Sequence, residues 1–169
     1  MPESTQDVEV GAVSGDEPRW LSPSEKEAWT GAVSLMLLLP SRLDSAVQRA
    51  AGVTLFEYLT LSHMSEAPDR RLVMSELAYL TNGSLSRLSN VMKKFEARGW
   101  AYREPDPTDG RRTIAVLTDD GWAKVVEAAP AHVRSVREHV LDPLTATDQR
   151  ALARIAAKLR TRPEDFAAS

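Results

Sequence analysis

No cysteine occurs in the 169 residues, which removes disulfides, thiolate metal sites, a cysteine nucleophile and any thiol-based oxidant sensor, and leaves the redox compartment unconstrained. Histidine is scarce: His63, His132 and His139 are the three. The last two lie seven residues apart on a predicted helix, two turns of separation, too far for one metal on one face. Long apolar runs are missing as well. The longest, Leu35 to Leu39, is far too short to span a bilayer, and the first residues lack a basic region followed by an apolar stretch. The expectation is a soluble cytoplasmic protein with no metal, no cofactor and no membrane contact. No Gly-rich phosphate loop precedes a helix, and no Ser, His and Asp set stands in motif context, so no catalytic role is expected. The acids Asp106, Asp109, Asp119 and Asp120 read as turn and N-terminal helix residues, where negative charge is locally stabilising.

What is present is more specific. The chain is long enough for one domain with a real core, or for a small domain plus dimerisation helices. Its net charge of −3 counts against nucleic acid at first, but the distribution matters more. From Ser84 to Arg112 seven cations face four anions, a local +3, so the remainder must carry −6. Positive charge is concentrated in one stretch.

That stretch has the pattern of a reading head. Leu85, Leu88, Val91, Met92 and Phe95 recur at the spacing of one helical face, which is expected to be buried. The opposite face carries Ser84, Ser86, Arg87, Ser89, Asn90, Lys93 and Lys94. Ser, Arg and Asn hydrogen-bond base edges, whereas Lys suits phosphates, which supply affinity without sequence information. An amphipathic helix with a merely solvated polar face looks the same, so context decides. Upstream, Ser75 is placed to cap a short helix reaching Tyr79 or Leu80, Asn82-Gly83 turns the chain, and Ser84 caps the next helix. Downstream, Gly99 stops that helix. Trp100 to Glu104 and Thr113 to Leu117 then read as two strands around a loop with Pro105, Pro107 and Gly110. Asp109 is expected to hold Arg111 by a local charge-assisted bond so that the guanidinium projects. An arginine at such a tip, with Arg112 beside it, suits a narrow minor groove. The pattern is helix, turn, helix, wing, and the partner it implies is double-stranded DNA.

The flanks are long helices. Residues 1–19, acidic and aperiodic, read as a disordered leader. Ser22-Pro23-Ser24-Glu25 is a strong helix start, and the helix runs toward Ala51 with Trp29, Val33, Met36, Leu37, Leu43 and Val47 as its stripe, kinked at Pro40 and stopped by Gly52. Thr54 with Glu57 opens a helix that buries Leu55, Tyr58, Leu59, Leu61 and Met64. Arg71 to Val73 reads as a third strand joining the hairpin. Thr118 caps a helix with Trp122, Val125, Val126, Ala129, Val133, Val136 and Val140 on one face, expected to bend at Pro130, with two separate helices as the alternative. Thr145 with Asp148 opens the last helix, through about Arg160, with Leu152, Ile155, Ala156 and Leu159. Residues 163–169 read as a loose tail. This apolar surface exceeds what a head of this size needs, so the flanking helices are expected to build an intertwined homodimer that reads two half-sites about one DNA turn, roughly 34 Å, apart.

On these residues the chain resembles the MarR family, the multiple-antibiotic-resistance-repressor-like winged-helix regulators. The most specific part is the wing, Asp106-Pro-x-Asp109-Gly-Arg111, followed by Val116-Leu117-Thr118-x-x-Gly121, together with Leu77-Ala78 and the Gly99-Trp100 step. The resemblance covers about Glu25 to Leu159 and implies a mainly α fold with a small β wing: one domain over 20–162, its winged helix-turn-helix at about 54–118 and dimerisation helices at about 22–51 and 118–160. It further implies a homodimer on a near-palindromic operator, usually a repressor, often released by a small aromatic or anionic ligand. It makes Arg111 the wing arginine and Asp109 its partner, and places the reading face on Ser84 to Asn90 and Lys93. Gly110, where a second arginine is common, is a departure that leaves the minor-groove contact to Arg111 and Arg112.

Trp29, Met36, Tyr58, His63, Met64 and Trp122 are candidate linings of a ligand cleft between the first, second and fifth helices. Aromatic and Met residues at helical spacing serve a core equally well. From a different class, a winged helix also serves as a protein-interaction module or as a nonspecific architectural DNA binder without ligand response.

Overall fold

In the computed structural model, which describes residues 18–159, capping chemistry explains where the long helices begin. Ser22 Oγ accepts the Glu25 N–H at 3.3 Å and the Glu25 carboxylate accepts the Ser22 N–H at 2.8 Å. From this predicted box α1 runs Pro23–Ala51, with Pro40 inside it, and Gly52 ends it in the left-handed region at φ 66°. Thr54 and Glu57 repeat the arrangement at 3.2 and 2.8 Å to open α2, Leu55–Glu66. Thr54→Ala is expected to cost about 1 kcal/mol, seen as a lower melting temperature; an unchanged melting curve would show that the cap contributes nothing. Ser84 caps α4, Leu85–Ala97, Thr118 caps α5, Asp119–Val136, and Thr145 with Asp148 boxes the start of α6, Ala146–Leu159. The expected cap at Ser75 is not made. Strand β1 (Arg71–Val73) runs directly into α3, Met74–Leu80, with Val73 at the cap position and no side-chain bond, which leaves Ser75 inside the first turn.

Two units are distinguished, Met1–Leu35 and Met36–Ser169. In the first, Arg19 pairs with Glu25 at 3.0 Å, and Trp20, Leu21, Trp29 and Leu35 are exposed. Most of the predicted leader, residues 1–17, and all of the predicted tail, 163–169, lie outside the described residues.

The second unit holds a three-stranded antiparallel sheet in the order β1-β3-β2, from β1 (Arg71–Val73), β2 (Ala101–Pro105) and β3 (Thr113–Leu117). Val73 faces Ile114 and Ala101 faces Leu117, so the third strand joins the hairpin as its sequence predicted. Leu61 and Met64 of α2, Leu77 of α3, and Leu88, Met92 and Phe95 of α4 are fully buried. Leu85 departs from expectation and is 55% exposed. At the first helical position its side chain leans back past the helix start, beyond the packed turns. The turn before α4 divides its labour: Asn82 takes the positive φ of 49°, while Gly83 makes room, because a Cβ there would lie 2.7 Å from the Phe56 ring.

Helix α5 continues through Pro130, as its resumed periodicity predicted. It then widens into a π-turn at Arg137–Leu141, closed by the Asp142 N–H donating to the Arg137 carbonyl at 2.8 Å. The apolar stripes behave differently from the head. Val125 is buried, but Trp122, Val126 and Val133 of α5 are exposed, as are Leu152, Ile155 and Leu159 of α6, and α6 contributes no buried residue. No helix among the described residues is long and apolar enough to cross a membrane.

Candidate nucleic-acid interface

The polar side of α4 is built from its cap outward. Ser84 Oγ accepts the Arg87 N–H at 3.2 Å and lies 3.0 Å from Ser86 Oγ, so both hydroxyls sit at the helix start, where backbone N–H groups and the helix dipole favour an approaching anion. Asn90 and Lys93, further along, are exposed. Among the described residues neither side chain has a hydrogen bond or ion pair within the chain, which leaves their donors for a ligand.

Three predicted reading residues are engaged by neighbours distant in sequence. The Arg87 guanidinium stacks 3.9 Å from the centre of the Phe56 ring, a cation–π contact that presets its direction. Lys94 Nζ pairs with Glu57 at 3.2 Å, where the Glu57 side chain is only 6% exposed, tying α4 to the capping box of α2. Burial pushes the Glu57 carboxyl up, but the Thr54 N–H and Lys94 outweigh it and hold it below the usual carboxylate range. Ser89 Oγ accepts from Arg103 Nη1 at 3.1 Å, and the same guanidinium forks onto Glu96 with two bonds of 2.8 Å. Those bonds hold the Glu96 carboxyl low and ionised. Arg103 therefore braces the reading helix against wing strand β2 and is not free charge. No local pattern announced this, because seven residues and a chain reversal at Gly99 separate Glu96 from Arg103.

This brace yields a prediction. Arg103→Ala is expected to cost about 1–2 kcal/mol of stability, allowing for partial exposure, and to weaken DNA binding with no DNA contact of its own. A double-mutant cycle with Glu96→Ala should show coupling of about 1 kcal/mol; additive losses would reject the brace.

The wing is set by carboxylates. Asp106, itself buried, accepts the Thr108 hydroxyl at 2.7 Å and the Thr108 N–H at 2.8 Å, bonds that keep its carboxyl below the ordinary range. The Asp106 N–H donates to the Arg112 carbonyl at 3.0 Å, and the Arg112 N–H to the Asp109 carbonyl at 2.9 Å, closing the loop across its neck. Asp109 Oδ1 accepts the backbone N–H of Arg111 at 3.1 Å. The carboxylate fixes the backbone of Arg111 and leaves its guanidinium exposed and unpaired among the described residues.

The six candidate ligand residues separate. Tyr58 and Met64 are buried in the core, with Tyr58 against the His132 ring at 4.6 Å between centres. Trp29, Met36 and Trp122 are exposed and His63 is half-buried. Trp122 carries the Arg70 guanidinium at 5.1 Å. Two clefts of this unit are lined by other side chains. An apolar one of about 460 Å³ lies among Pro40, Asp44, Leu55, Phe56, Leu59 and Arg87, and a polar one of about 310 Å³ among residues of α1 and α5.

A model described as the MarR family matches residues 51–112. Sco3205, a MarR family transcriptional regulator from Streptomyces coelicolor solved in complex with DNA, is 39% identical. Its match covers 86% of this chain and 91% of that one, with a TM-score of 0.79. AbsC, a MarR family transcriptional regulator from the same organism, is 36% identical over 86% of this chain and 100% of its own, at a TM-score of 0.76. CouR from Rhodococcus jostii RHA1, bound to p-coumaroyl-CoA, is 15% identical over 81% and 93% of the two chains at 0.69, a likeness of fold alone. No protein with a curated description matches in sequence.

Proposed function

The chain belongs to the MarR family of DNA-binding transcriptional regulators and not to a family of enzymes, and we propose that it works in the cytoplasm as a homodimeric repressor of a near-palindromic operator, released by a small ligand. One observation carries the DNA reading: the free Asn90 and Lys93 of α4 share the head with a wing whose Arg111 guanidinium projects without a partner. The relative Sco3205, solved with DNA, supports the same use of the head. In this reading Ser84, Ser86, Arg87 and Asn90 face base edges, Lys93 meets phosphate, and Arg111 with Arg112 enters the minor groove. Ser89 and Lys94 act mainly through their neighbours, Arg103 and Glu57. The homodimer reading is supported by α6. An isolated helix of 14 residues is marginal in water without a packed face, and Leu152, Ile155 and Leu159 stay exposed among the described residues.

The test is a titration against fragments of the DNA upstream of the protein's own coding sequence, at low and at physiological salt. Tight, sequence-selective binding is expected. Salt-sensitive binding without selectivity would make the protein an architectural binder, and no binding at either salt would turn the head into a protein-docking module. Lys93→Ala should flatten the plot of log affinity against log salt by about 0.9. Lys94→Ala should flatten it less, because Glu57 already neutralises that charge; equal slopes for the two variants would show that Lys94 leaves Glu57 on binding.

A further inference from the structure

The polar cleft between α1 and α5 is lined by no residue of the reading helix or the wing, and its lining is chemically one-sided. Arg42 and Arg49 of α1 meet Arg134 of α5 and His139 of the π-turn around about 310 Å³, with Glu138 as the one carboxylate. Among the described residues none of the three guanidiniums has an ion pair or hydrogen bond. Like charges held at short range without intervening acids repel one another. Here the lining carries three positive charges against one negative at neutral imidazole, a surplus of two.

A second feature of the same cleft points to a ligand. Ser135 is 6% exposed, lines the cleft, and its hydroxyl has no hydrogen-bond partner among the described residues. Two other mid-helix serines behave otherwise. Ser34 and Ser45 return their hydroxyls to the carbonyl four residues earlier at 2.9 and 2.8 Å, the usual refuge of such a group. Among the described residues His132 Nδ1 is the one fully buried side-chain polar atom without a partner, so the Ser135 hydroxyl is not sealed off and stays open to a group in the cleft.

We propose that this cleft binds a phosphate dianion, either free or as the monoester of a small metabolite. Guanidinium forks match phosphate oxygens two at a time, the surplus of two charges matches a monoester that is mostly dianionic at neutral pH, and the Ser135 hydroxyl donates to a remaining oxygen. The volume lies at the low end for ligand clefts, which selects a small phosphorylated molecule over a nucleotide. The polar lining excludes an aromatic body, the ligand that the apolar cleft beside Phe56 would suit.

The site is tested without DNA, and so independently of the operator reading. Calorimetric titration of the full chain, in its own oligomeric state and at ionic strength fixed with chloride, uses inorganic phosphate in one arm and glycerol 3-phosphate in the other. Saturable binding at one per chain is expected. Tighter binding of the ester identifies an esterified ligand, and equal or tighter binding of the inorganic ion identifies free phosphate. Arg49→Gln and Arg134→Gln, both at exposed positions, should each weaken binding about tenfold or more, and Ser135→Ala by about 2- to 10-fold. Arg111→Gln on the wing should leave it unchanged. No saturable binding of either probe, or undiminished affinity in both arginine variants with their melting curves intact, would overturn the site. So would a lost unit of DNA salt slope in those variants without phosphate binding, which would assign the cations to the DNA backbone.

Discussion

Replacing Gly121 with alanine is expected to destabilise the protein by about 3 kcal/mol or more, lowering the melting temperature by about 6–12 °C for a chain of this size. The reason is contact, not conformational freedom. A Cβ at this position would fall on the Trp100 carbonyl oxygen and lie 2.5 Å from Leu117 Cδ1. The first of these is main chain and cannot rotate away. Helix α5 begins where it does because the Thr118 N–H donates to that same Trp100 carbonyl at 3.0 Å, while the Thr118 hydroxyl donates to the Gly99 carbonyl at 2.6 Å and accepts the Gly121 N–H at 3.1 Å. Alanine would push the first turn of α5 off the end of the hairpin, and with it the register between β2 and β3. Differential scanning calorimetry decides the matter. A melting temperature within a degree or two of wild type would mean that α5 can shift at little cost, and that the close approach does not hold the head to the helix that follows it.

Arg111→Ala is expected to weaken operator binding by about 1–3 kcal/mol, roughly 5- to 150-fold, with the melting curve and oligomeric state unchanged. Among the described residues the guanidinium makes no hydrogen bond or ion pair, so no such bond is lost with it, and the effect is expected in the complex. Asp109→Ala separates aiming from contact. Its carboxylate holds the Arg111 backbone at 3.1 Å, so its removal loosens the wing tip while leaving the cation in place, and a smaller loss is expected, accompanied by a faster off-rate. Fluorescence anisotropy with labelled operator measures both variants. Undiminished affinity in Arg111→Ala would remove the wing from the recognition surface and leave α4 to read alone.

The local devices were legible in the sequence. Capping boxes at Ser22, Thr54 and Thr145, the caps at Ser84 and Thr118, and the stop at Gly99, whose φ is 70°, all join residues a few positions apart, and a short-range bond leaves a short-range pattern. The third strand was expected from its place before the reading head, and the passage of α5 through Pro130 followed from periodicity. The departures also have a common cause. Leu85 satisfied the helical stripe yet lies past the last packed turn, and Ser75 matched a cap although the chain enters α3 directly from a strand. Periodicity states which residues share a face, but not how far along the helix the neighbouring surface extends.

The free and engaged cations on the reading face are the clearest division between the two levels. Sequence determined that α4 carries a polar side with Arg87, Lys93 and Lys94, that a basic hairpin follows it, and that the flanking helices hold more apolar surface than the head can use. Tertiary structure alone decided that Lys94 answers Glu57, that Arg103 locks Glu96 and Ser89, that Arg87 rests on Phe56, and that Arg42, Arg49 and Arg134 gather around one cleft without an ion pair among the described residues. Electrostatic partners are chosen by distance in space, and these pairs lie from 7 to 37 residues apart along the chain. A count of charges along the sequence records their number, and only the fold determines which of them remain free to bind.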